Sequence, residues 1–226
     1  MINQKKGLLV NKPLNHYIDH TLLKPEATLE EIQKLCREGI EFQFAAVCIN
    51  PTWVCHAHAI LKDTPVKLCS VVGFPLGANT SENKVTETSQ LVERGVQEID
   101  MVINIGALKS KDYQKVLKDI QGVVQAASSA VVKVILETCL LTDEEKRITA
   151  QLCMEAGAGY VKTSTGFSKA GATIHDVALM RKVVGPDFGV KASGGIRDLP
   201  TALAMIEAGA TRIGTSSGVS LIRALK

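Results

Sequence analysis

Two lysines lie inside segments that otherwise have the composition of buried β-strands. Lys162 stands in "GYVKTSTGF" (159–167) and Lys191 in "GVKASGGIRD" (189–198), and a polar, glycine-containing loop follows each of them. Two ammonium groups held close together and partly removed from water each favour the neutral amine, the form that attacks a carbonyl carbon. The pair therefore indicates Schiff-base chemistry. The alternative is that each lysine is exposed at a strand end or paired with a carboxylate.

A carboxylate occupies a third apolar segment. Asp100 lies in "EIDMVIN" (98–104), where a buried acid needs a partner. Facing lysines it is a natural proton-transfer group, and taken alone it fits a structural salt bridge equally well. Lys133 in "VVKVILE" (131–137) could join the same cluster, with Glu137 offsetting its charge.

Strand-like and helix-like segments alternate along the whole chain and would position these side chains. The predicted strands are residues 17–21, 44–50, 67–74, 98–104, 131–137, 160–164, 188–193 and 212–216. Most are short apolar runs without polar alternation, as in a parallel sheet covered by helices. Eight β-then-α units predict an α/β fold, a closed (β/α)₈ barrel of the TIM type. The rival is an open doubly wound sheet, but the first strand leads into "DHTLLKPEAT", which has no glycine-rich fingerprint.

Capping residues and glycines in the sequence predict where several helices begin and end. Thr28 and Thr142 begin capping boxes, and Asp198 is a cap with a proline in the following turn. Four helices are predicted to end at a glycine, since glycine adopts the left-handed conformation there without strain. These are Gly39, Gly95, Gly157 and Gly209.

In such a barrel, functional side chains stand at the carboxyl ends of the strands, and phosphate is frequently bound by the loops after strands seven and eight. "SGG" (193–195) and "SSG" (216–218) fall in those two loops, "STG" (164–166) could add a third wall, and a helix follows at 217–226. Backbone N–H groups of glycines and the positive end of a helix bind phosphate. Predicted substrate contacts are Thr165, Gly166, Gly194, Gly195, Ser216 and Ser217, with Asp19, Thr21 and Cys48 at the ends of strands one and two.

Composition excludes several classes of protein. The chain has 226 residues, 46% of them hydrophobic, and a net charge of +3 without a clustered basic patch, so nucleic acid is not an expected partner. No apolar run is long enough to span a membrane, and the N-terminus lacks the apolar region of a signal peptide. We expect one domain over 1–226, with 1–12 as a loose lead-in.

Six cysteines occur without a CxxC pair, several at apolar periodic positions. They indicate a reduced, cytoplasmic protein without a disulfide framework. Cys55 and His58 lie one helical turn apart, but zinc needs further ligands, so no metal site is predicted. Cys48 as a nucleophile would have only His20 as a base. His175 is expected on the surface of a helix.

Six motifs in order resemble one enzyme family. "DHTLLKPEAT", "VVGFPLG", "EIDMVINIGAL", "VKTSTGF", "VKASGGIRD" and "RIGTSS" are similar to those of the deoxyribose-phosphate aldolases, and they run from about residue 17 to 217. The resemblance implies a class I aldolase on a (β/α)₈ barrel that needs no metal or other cofactor. It implies cleavage of 2-deoxy-D-ribose 5-phosphate to D-glyceraldehyde 3-phosphate and acetaldehyde, in deoxynucleoside catabolism.

The same resemblance assigns roles to the three central residues. It implies that Lys162 forms the Schiff base, that Lys191 perturbs it and helps to transfer protons, and that Asp100 is the proton-transfer carboxylate. "GFSKAGAT" departs from the family pattern at Lys169 and Ala170, where Thr-Gly is expected, and Lys169 is expected to face solvent. The chain also stops soon after the last loop, where some members carry a longer tail.

Two rival functions remain at this level. One is a phosphate-binding barrel isomerase or epimerase with carboxylate bases, and the other is a catalytically silent barrel that senses a phosphometabolite. Small phosphosugar and aldehyde substrates are the expected partners, and a homo-oligomer, dimer or tetramer, is the expectation for a soluble enzyme of this size.

Overall fold

The computed structural model describes residues 12–225. The predicted lead-in at 1–12 lies almost entirely outside the described residues. Within them the chain forms a closed barrel of eight parallel strands, each paired with its neighbours in sequence order and β8 paired with β1. The strands are β1 Ile18–Leu22, β2 Ala46–Ile49, β3 Lys67–Val72, β4 Glu98–Val102, β5 Val131–Ile135, β6 Tyr160–Lys162, β7 Gly189–Ser193 and β8 Arg212–Thr215. The predicted TIM barrel is confirmed.

The α-helices lie between the strands on the outside of the barrel. They are α1 Leu29–Glu41, α2 Val54–Leu61, α3 Ser81–Glu93, α4 Ile105–Lys109, α5 Tyr113–Ala127, α6 Asp143–Glu155, α7 Ile174–Val184, α8 Leu199–Glu207 and α9 Gly218–Arg223. Short 3₁₀ turns cover Leu14–Tyr17, Pro51–Trp53 and Thr138–Leu140. Among the helices described, none is long and apolar enough to cross a membrane.

All eight predicted strands are present, but several end earlier than predicted. β4 stops at Val102 because Asn104 caps α4, its Oδ1 accepting the N–H of Ala107 at 2.9 Å. β5 stops at Ile135 because Glu137 takes a left-handed backbone conformation, φ 57°, and a 3₁₀ turn follows. Polar side chains at these strand ends bind neighbouring backbone groups and so turn the chain out of the sheet.

The predicted helix starts are confirmed. Thr28 and Thr142 form complete capping boxes, and Asp198 accepts the N–H of Thr201. Gly95, Gly157 and Gly209 have positive φ directly after α3, α6 and α8.

The prediction that α1 ends at Gly39 is wrong, because the helix continues to Glu41. Gly39 is buried, and a Cβ there would lie 2.6 Å from Cγ2 of Val47 on β2. The residue therefore lets α1 pack closely on the sheet, and its small size rather than its backbone freedom explains why it is glycine.

Two apolar clusters fill the molecule. The large one lies between the sheet and the helices and takes one face of every strand. A small one lies inside the barrel, where Ala46, Cys48, Cys69 and Val71 of β2 and β3 pack with Leu23 and Phe74. Other inward positions carry the charged side chains of Asp19, Asp100, Lys133, Lys162, Lys191 and Arg212, so the interior has an apolar part on β2 and β3 and a charged part on the remaining strands.

The close approach of α1 to β2 gives a stability prediction. Alanine at position 39 gains about 1 kcal/mol of helix propensity, but overpacking against buried Val47 costs about 1–3 kcal/mol. We expect Gly39→Ala to lower the free energy of unfolding, measured by urea denaturation. In a Val47→Ala background the same substitution is expected to stabilise. If Gly39→Ala destabilises equally in both backgrounds, the close contact with Val47 is not its cause.

Candidate active site

The two lysines that raised the question of Schiff-base chemistry are neighbours. Lys162 is the last residue of β6, Lys191 lies in the middle of β7, and the two are register partners in the sheet. Their side chains are 3% and 1% exposed, inside the barrel. The structure thus confirms their predicted adjacency, and both amines lie in a site almost closed to water.

Asp100 joins the two amines. Its Oδ2 accepts hydrogen bonds from Nζ of Lys162 and Nζ of Lys191, both at 2.7 Å, and its Oδ1 accepts one from Nζ of Lys133 at 2.8 Å. The carboxylate is fully buried. Burial alone would raise the pKa of Asp100, but the three lysines hold it well below its usual range. The carboxylate is therefore ionised and forms the centre of the site.

Lys191 is surrounded by negative charge. Besides Asp100 it binds Oδ2 of Asp19 at 2.5 Å. Burial lowers the pKa of Lys191, but Asp100 and Asp19 raise it above its ordinary value, so this amine is protonated at neutral pH. The sequence-based expectation that each lysine favours the neutral form is wrong for Lys191, because it counted the repulsion between lysines and not the carboxylates between them.

Lys133 belongs to the same cluster. Its Nζ lies 2.7 Å from Glu98, 2.8 Å from Asp100 and 3.7 Å from Asp19. Burial lowers the pKa of Lys133, and the surrounding acids raise it well above its usual value.

The expectation that Glu137 offsets the charge of Lys133 is wrong. Glu137 instead accepts hydrogen bonds from the hydroxyl and the backbone N–H of Thr165. Glu137 therefore holds the start of the loop after β6, a role that the sequence did not reveal.

A layer of charged side chains below the lysines was also not predicted from the sequence. Arg212, the first residue of β8, donates to Oδ1 of Asp19 at 2.6 Å and to both oxygens of Glu98 at 3.0 and 3.2 Å. Glu98 is the first residue of β4, so both lie at the amino-terminal end of the barrel, which we call its floor. Glu98 could have been found from its i, i+2 spacing to Asp100, which puts both on one face of β4. Nothing in the sequence around Arg212 pointed to an acidic partner.

Gly214 makes room for the second lysine. It lies on β8, and a Cβ at this position would be 3.1 Å from Cε of Lys191 and 3.0 Å from Cβ of Ser193. Both distances are shorter than ordinary carbon–carbon contacts, so a side chain here would displace Lys191. The glycine in "RIGTSS" is thus needed for space.

The predicted contacts of strands one and two are less open than expected. Asp19 is fully buried with both oxygens bound to Arg212 and Lys191, which favours positioning of Lys191 over the predicted contact with substrate. Cys48 is fully buried beside Cys69, whose thiol donates to Asp100 at 3.2 Å. Thr21 is half-buried, and its hydroxyl donates to the backbone carbonyl of Asp19.

His20 cannot serve Cys48 as a base. It alternates with Asp19 along β1 and so points out of the barrel, where its Nε2 lies 2.8 Å from Glu38 on α1. His175 is exposed as predicted and pairs with Asp143 at 2.7 Å, and Lys169 is exposed.

The loops predicted to bind phosphate lie at the other end of the barrel, its mouth. Gly194 and Gly195 both have positive φ, 86° and 81°, as does Gly166 at 88°. The hydroxyl of Ser193 donates to the carbonyl of Ser164 at 2.5 Å, which ties the loops after β6 and β7 together. Ser216 is exposed, and Ser217 is half-buried at the start of α9.

The loops after β7 and β8 are also tied. The hydroxyl of Thr215 donates to the carbonyl of Ile196 at 2.6 Å and accepts the N–H of Ser217 at 2.9 Å. The N–H of Ser217 is therefore already used, and its hydroxyl is the group left to bind a ligand. The hydroxyl of Ser164 is buried and has no hydrogen-bond partner among the described residues.

Comparison with known proteins agrees with this geometry. Residues 14–225 match the family described as DeoC/LacD family aldolase. The chain belongs to this family of aldolases. The deoxyribose-phosphate aldolase of Brevibacillus brevis is 61% identical over 94% of this chain and 96% of that protein. The deoxyribose-phosphate aldolase of Streptococcus sanguinis is 62% identical over 93% of this chain and 96% of that protein.

Solved structures of aldolases share the fold. An aldolase named QR15 superposes with a TM-score of 0.90 at 44% identity, over 93% of this chain and 95% of that one. A deoxyribose phosphate aldolase from Aeropyrum pernix, described as having a unique tetrameric structure, superposes with a TM-score of 0.88 at 37% identity, over 93% of this chain and 90% of that one. The family resemblance read from six motifs is confirmed.

The buried carboxylates of this DeoC/LacD aldolase predict its acid sensitivity. Burial raises the pKa of Asp19, but Arg212, Lys191 and Lys133 lower it more, so both Asp19 and Asp100 have folded-state pKa values below the unfolded value of about 3.9. Their ionised forms therefore stabilise the fold above that pH, and this stabilisation is lost as the pH falls below about 4. Each proton taken up on unfolding adds about 1.4 kcal/mol per pH unit to the slope.

We expect Asp19→Asn to make the fall in unfolding free energy between pH 4 and pH 3 shallower by up to about 1.4 kcal/mol per unit. Urea denaturation at fixed pH values measures it. Asp63→Asn removes an exposed carboxylate and should leave the wild-type slope. Equal slopes in the wild type and the Asp19 variant would mean that Asp19 is not held ionised in the fold.

Proposed function

We propose that this chain is a class I deoxyribose-phosphate aldolase that reversibly cleaves 2-deoxy-D-ribose 5-phosphate to D-glyceraldehyde 3-phosphate and acetaldehyde. The identity of about 61% to curated enzymes of that name, over most of both chains, supports the substrate. The observation that carries the chemistry is the position of Lys162, which ends a barrel strand with its amine 2.7 Å from a buried carboxylate shared with Lys191.

Lys162 is the proposed nucleophile. Its neutral amine adds to the aldehyde carbon C1 of the open-chain sugar, and loss of water gives a protonated imine. Removal of the proton from the C3 hydroxyl then lets the C2–C3 bond break. Its electron pair moves to the imine nitrogen and forms an enamine, while C3 becomes the aldehyde of glyceraldehyde 3-phosphate. Protonation of the enamine at C2 and hydrolysis release acetaldehyde and regenerate Lys162.

Asp100 and Lys191 are the proposed proton-transfer groups. Lys191 is held protonated by its two acids, so it can supply a proton, and Asp100 is held ionised, so it can accept one. The fixed carboxylate between the two amines also lies where the imine develops positive charge. A preformed charge of the opposite sign stabilises that step without rearrangement.

The mouth loops are the proposed phosphate site. Gly194 and Gly195 present backbone N–H groups, and Ser216 and Ser217 lie at the start of α9. Thr165 and Gly166 are the proposed third wall, held in place by Glu137. Binding the phosphate there positions the reacting end of the sugar over Lys162, so that remote binding energy contributes to the rate.

Reductive trapping tests the nucleophile. Sodium borohydride with acetaldehyde is expected to give a stable adduct on Lys162, located by peptide mass mapping, because reduction converts the imine to a secondary amine that no longer hydrolyses. Lys162→Ala should abolish the adduct and the activity, while Lys169→Ala, a change in an exposed lysine, should keep both. An active protein that forms no adduct would support an isomerase with carboxylate bases, and ligand binding without turnover would support a sensor.

A charge substitution tests the phosphate site. Ser217→Asp keeps a residue type that is common at helix N-caps but places a negative charge against the phosphate, so we expect KM for 2-deoxyribose 5-phosphate to rise at least about tenfold. Cleavage of unphosphorylated 2-deoxyribose should not fall. Ser220→Asp, on the exposed face of the same helix, is the matched control. An equal loss of activity with both sugars would mean that the phosphate group is not bound beside Ser217.

Assembly and location remain predictions. We infer a homo-oligomer, and the Aeropyrum pernix relative described as tetrameric supports it. Light scattering after size exclusion measures the mass in solution. A single domain over 1–226 and a cytoplasmic location stay proposals that rest on the continuity of the barrel and the unpaired cysteines.

A further inference from the structure

The positive and negative charges inside the barrel are unequal in number. Ion pairs connect seven side chains, which we call the interior charge cluster: Asp19, Glu98, Asp100, Lys133, Lys162, Lys191 and Arg212. When all seven are ionised, this cluster has four cations and three anions. An excess charge in a site closed to water is costly, so the cluster is most stable when one cation is neutral.

The ion pairs decide which cation is neutral. Arginine keeps its proton in proteins. Lys133 approaches Glu98, Asp100 and Asp19, and Lys191 binds both Asp19 and Asp100. Among the described residues Lys162 pairs only with Asp100, and it shares the Oδ2 atom with Lys191. Among the described cations of the cluster, Lys162 therefore loses least when its proton leaves.

Arg212 contributes to this excess from the floor of the barrel. Its guanidinium binds Asp19 through one oxygen and Glu98 through both. Arg212 thereby neutralises part of the negative charge of these two acids, which would otherwise be shared among the lysines above it. A continuous chain of contacts runs from Arg212 to Asp19 at 2.6 Å, to Lys191 at 2.5 Å, to Asp100 at 2.7 Å and to Lys162 at 2.7 Å.

We propose that Arg212 is a positioning residue for the aldol reaction, whose fixed positive charge at the barrel floor favours the neutral, nucleophilic form of the Lys162 amine. The proposal rests on the proposed function of Lys162. It predicts that changes of charge at the floor move the pH at which Lys162 becomes reactive, in a direction set by the sign of the change.

Other titratable groups around Lys162 are accounted for. From the remaining strands, the barrel interior receives Asp19 of β1, Cys48 of β2, Cys69 of β3, Glu98 and Asp100 of β4, Lys133 of β5, Lys191 of β7 and Arg212 of β8. Among the described residues, two further charged groups lie outside the ion-pair network and have opposite signs, and the phenol ring of Tyr160 lies 5.5 Å from the guanidinium of Arg212. Lys12 is at the floor near Arg212, and Glu137 is at the mouth, bound to Thr165.

The test is the pH dependence of imine formation on Lys162. The initial rate of trapping with acetaldehyde and cyanoborohydride, located by mass mapping, is measured beside the pH profile of kcat/KM. Arg212→Met removes a positive charge, so the rising inflection of both profiles should move to higher pH by about one unit. At a pH below the inflection, trapping should then be about tenfold slower.

Two partner variants separate charge from structure. Glu98→Gln removes a negative charge from the same floor, so its inflection should move to lower pH. Arg212→Lys keeps the charge and should restore the wild-type inflection. Shifts in opposite directions for Arg212→Met and Glu98→Gln support the proposal, and lowered activity with unmoved inflections overturns it.

Two further outcomes are distinguishable. If Arg212→Met does not fold, the direction of the shift in Glu98→Gln decides alone, because the same charge argument predicts it. If the wild type forms no adduct on Lys162 at any pH, the proposed function fails rather than the role of Arg212.

Discussion

The buried carboxylate of Asp100 is the interaction on which the arrangement of the site depends. Without it, Lys133, Lys162 and Lys191 would bring three positive charges into a space closed to water, at a cost that packing does not offset. With it, each amine has a fixed partner at hydrogen-bond distance. The same carboxylate that makes burial of the lysines possible also lies beside the amine that is proposed to react.

The barrel supplies what this carboxylate needs. Parallel strands point every second side chain inward, so residues far apart in sequence converge, as Asp19 and Lys191 do. Space is made by small residues, with Ala46 on one side and Gly214 beside Lys191 on the other. The rigid sheet fixes the amines, while the mouth loops, tied to one another by Ser193 and Thr215, are separate elements proposed to hold the substrate.

Function in this chain is thus divided along the barrel axis. Arg212 and Glu98 at the floor are proposed to set the charge, the lysines and Asp100 in the middle are proposed to perform the chemistry, and the glycine loops at the mouth are proposed to bind phosphate. Glu98 at the floor is paired with Arg212 and Lys133, and among the described ion pairs none connects it to Lys162. In this arrangement, groups that do not reach the substrate are proposed to govern the protonation of those that do.

The sequence by itself determined the fold and the residues at its centre. Eight apolar runs between capped amphipathic segments predict a parallel barrel, because the pattern that identifies each element is local. Lysines and acids inside such runs are then expected to face one another in the interior of that barrel. Only the tertiary structure decided how they pair. The partners of Lys133, the carboxylates around Lys191, the size constraint at Gly39 and the role of Arg212 all depend on contacts between distant strands and helices. A pattern along one strand shows which face a side chain occupies, but the charge that it meets there is set by its neighbours across the barrel.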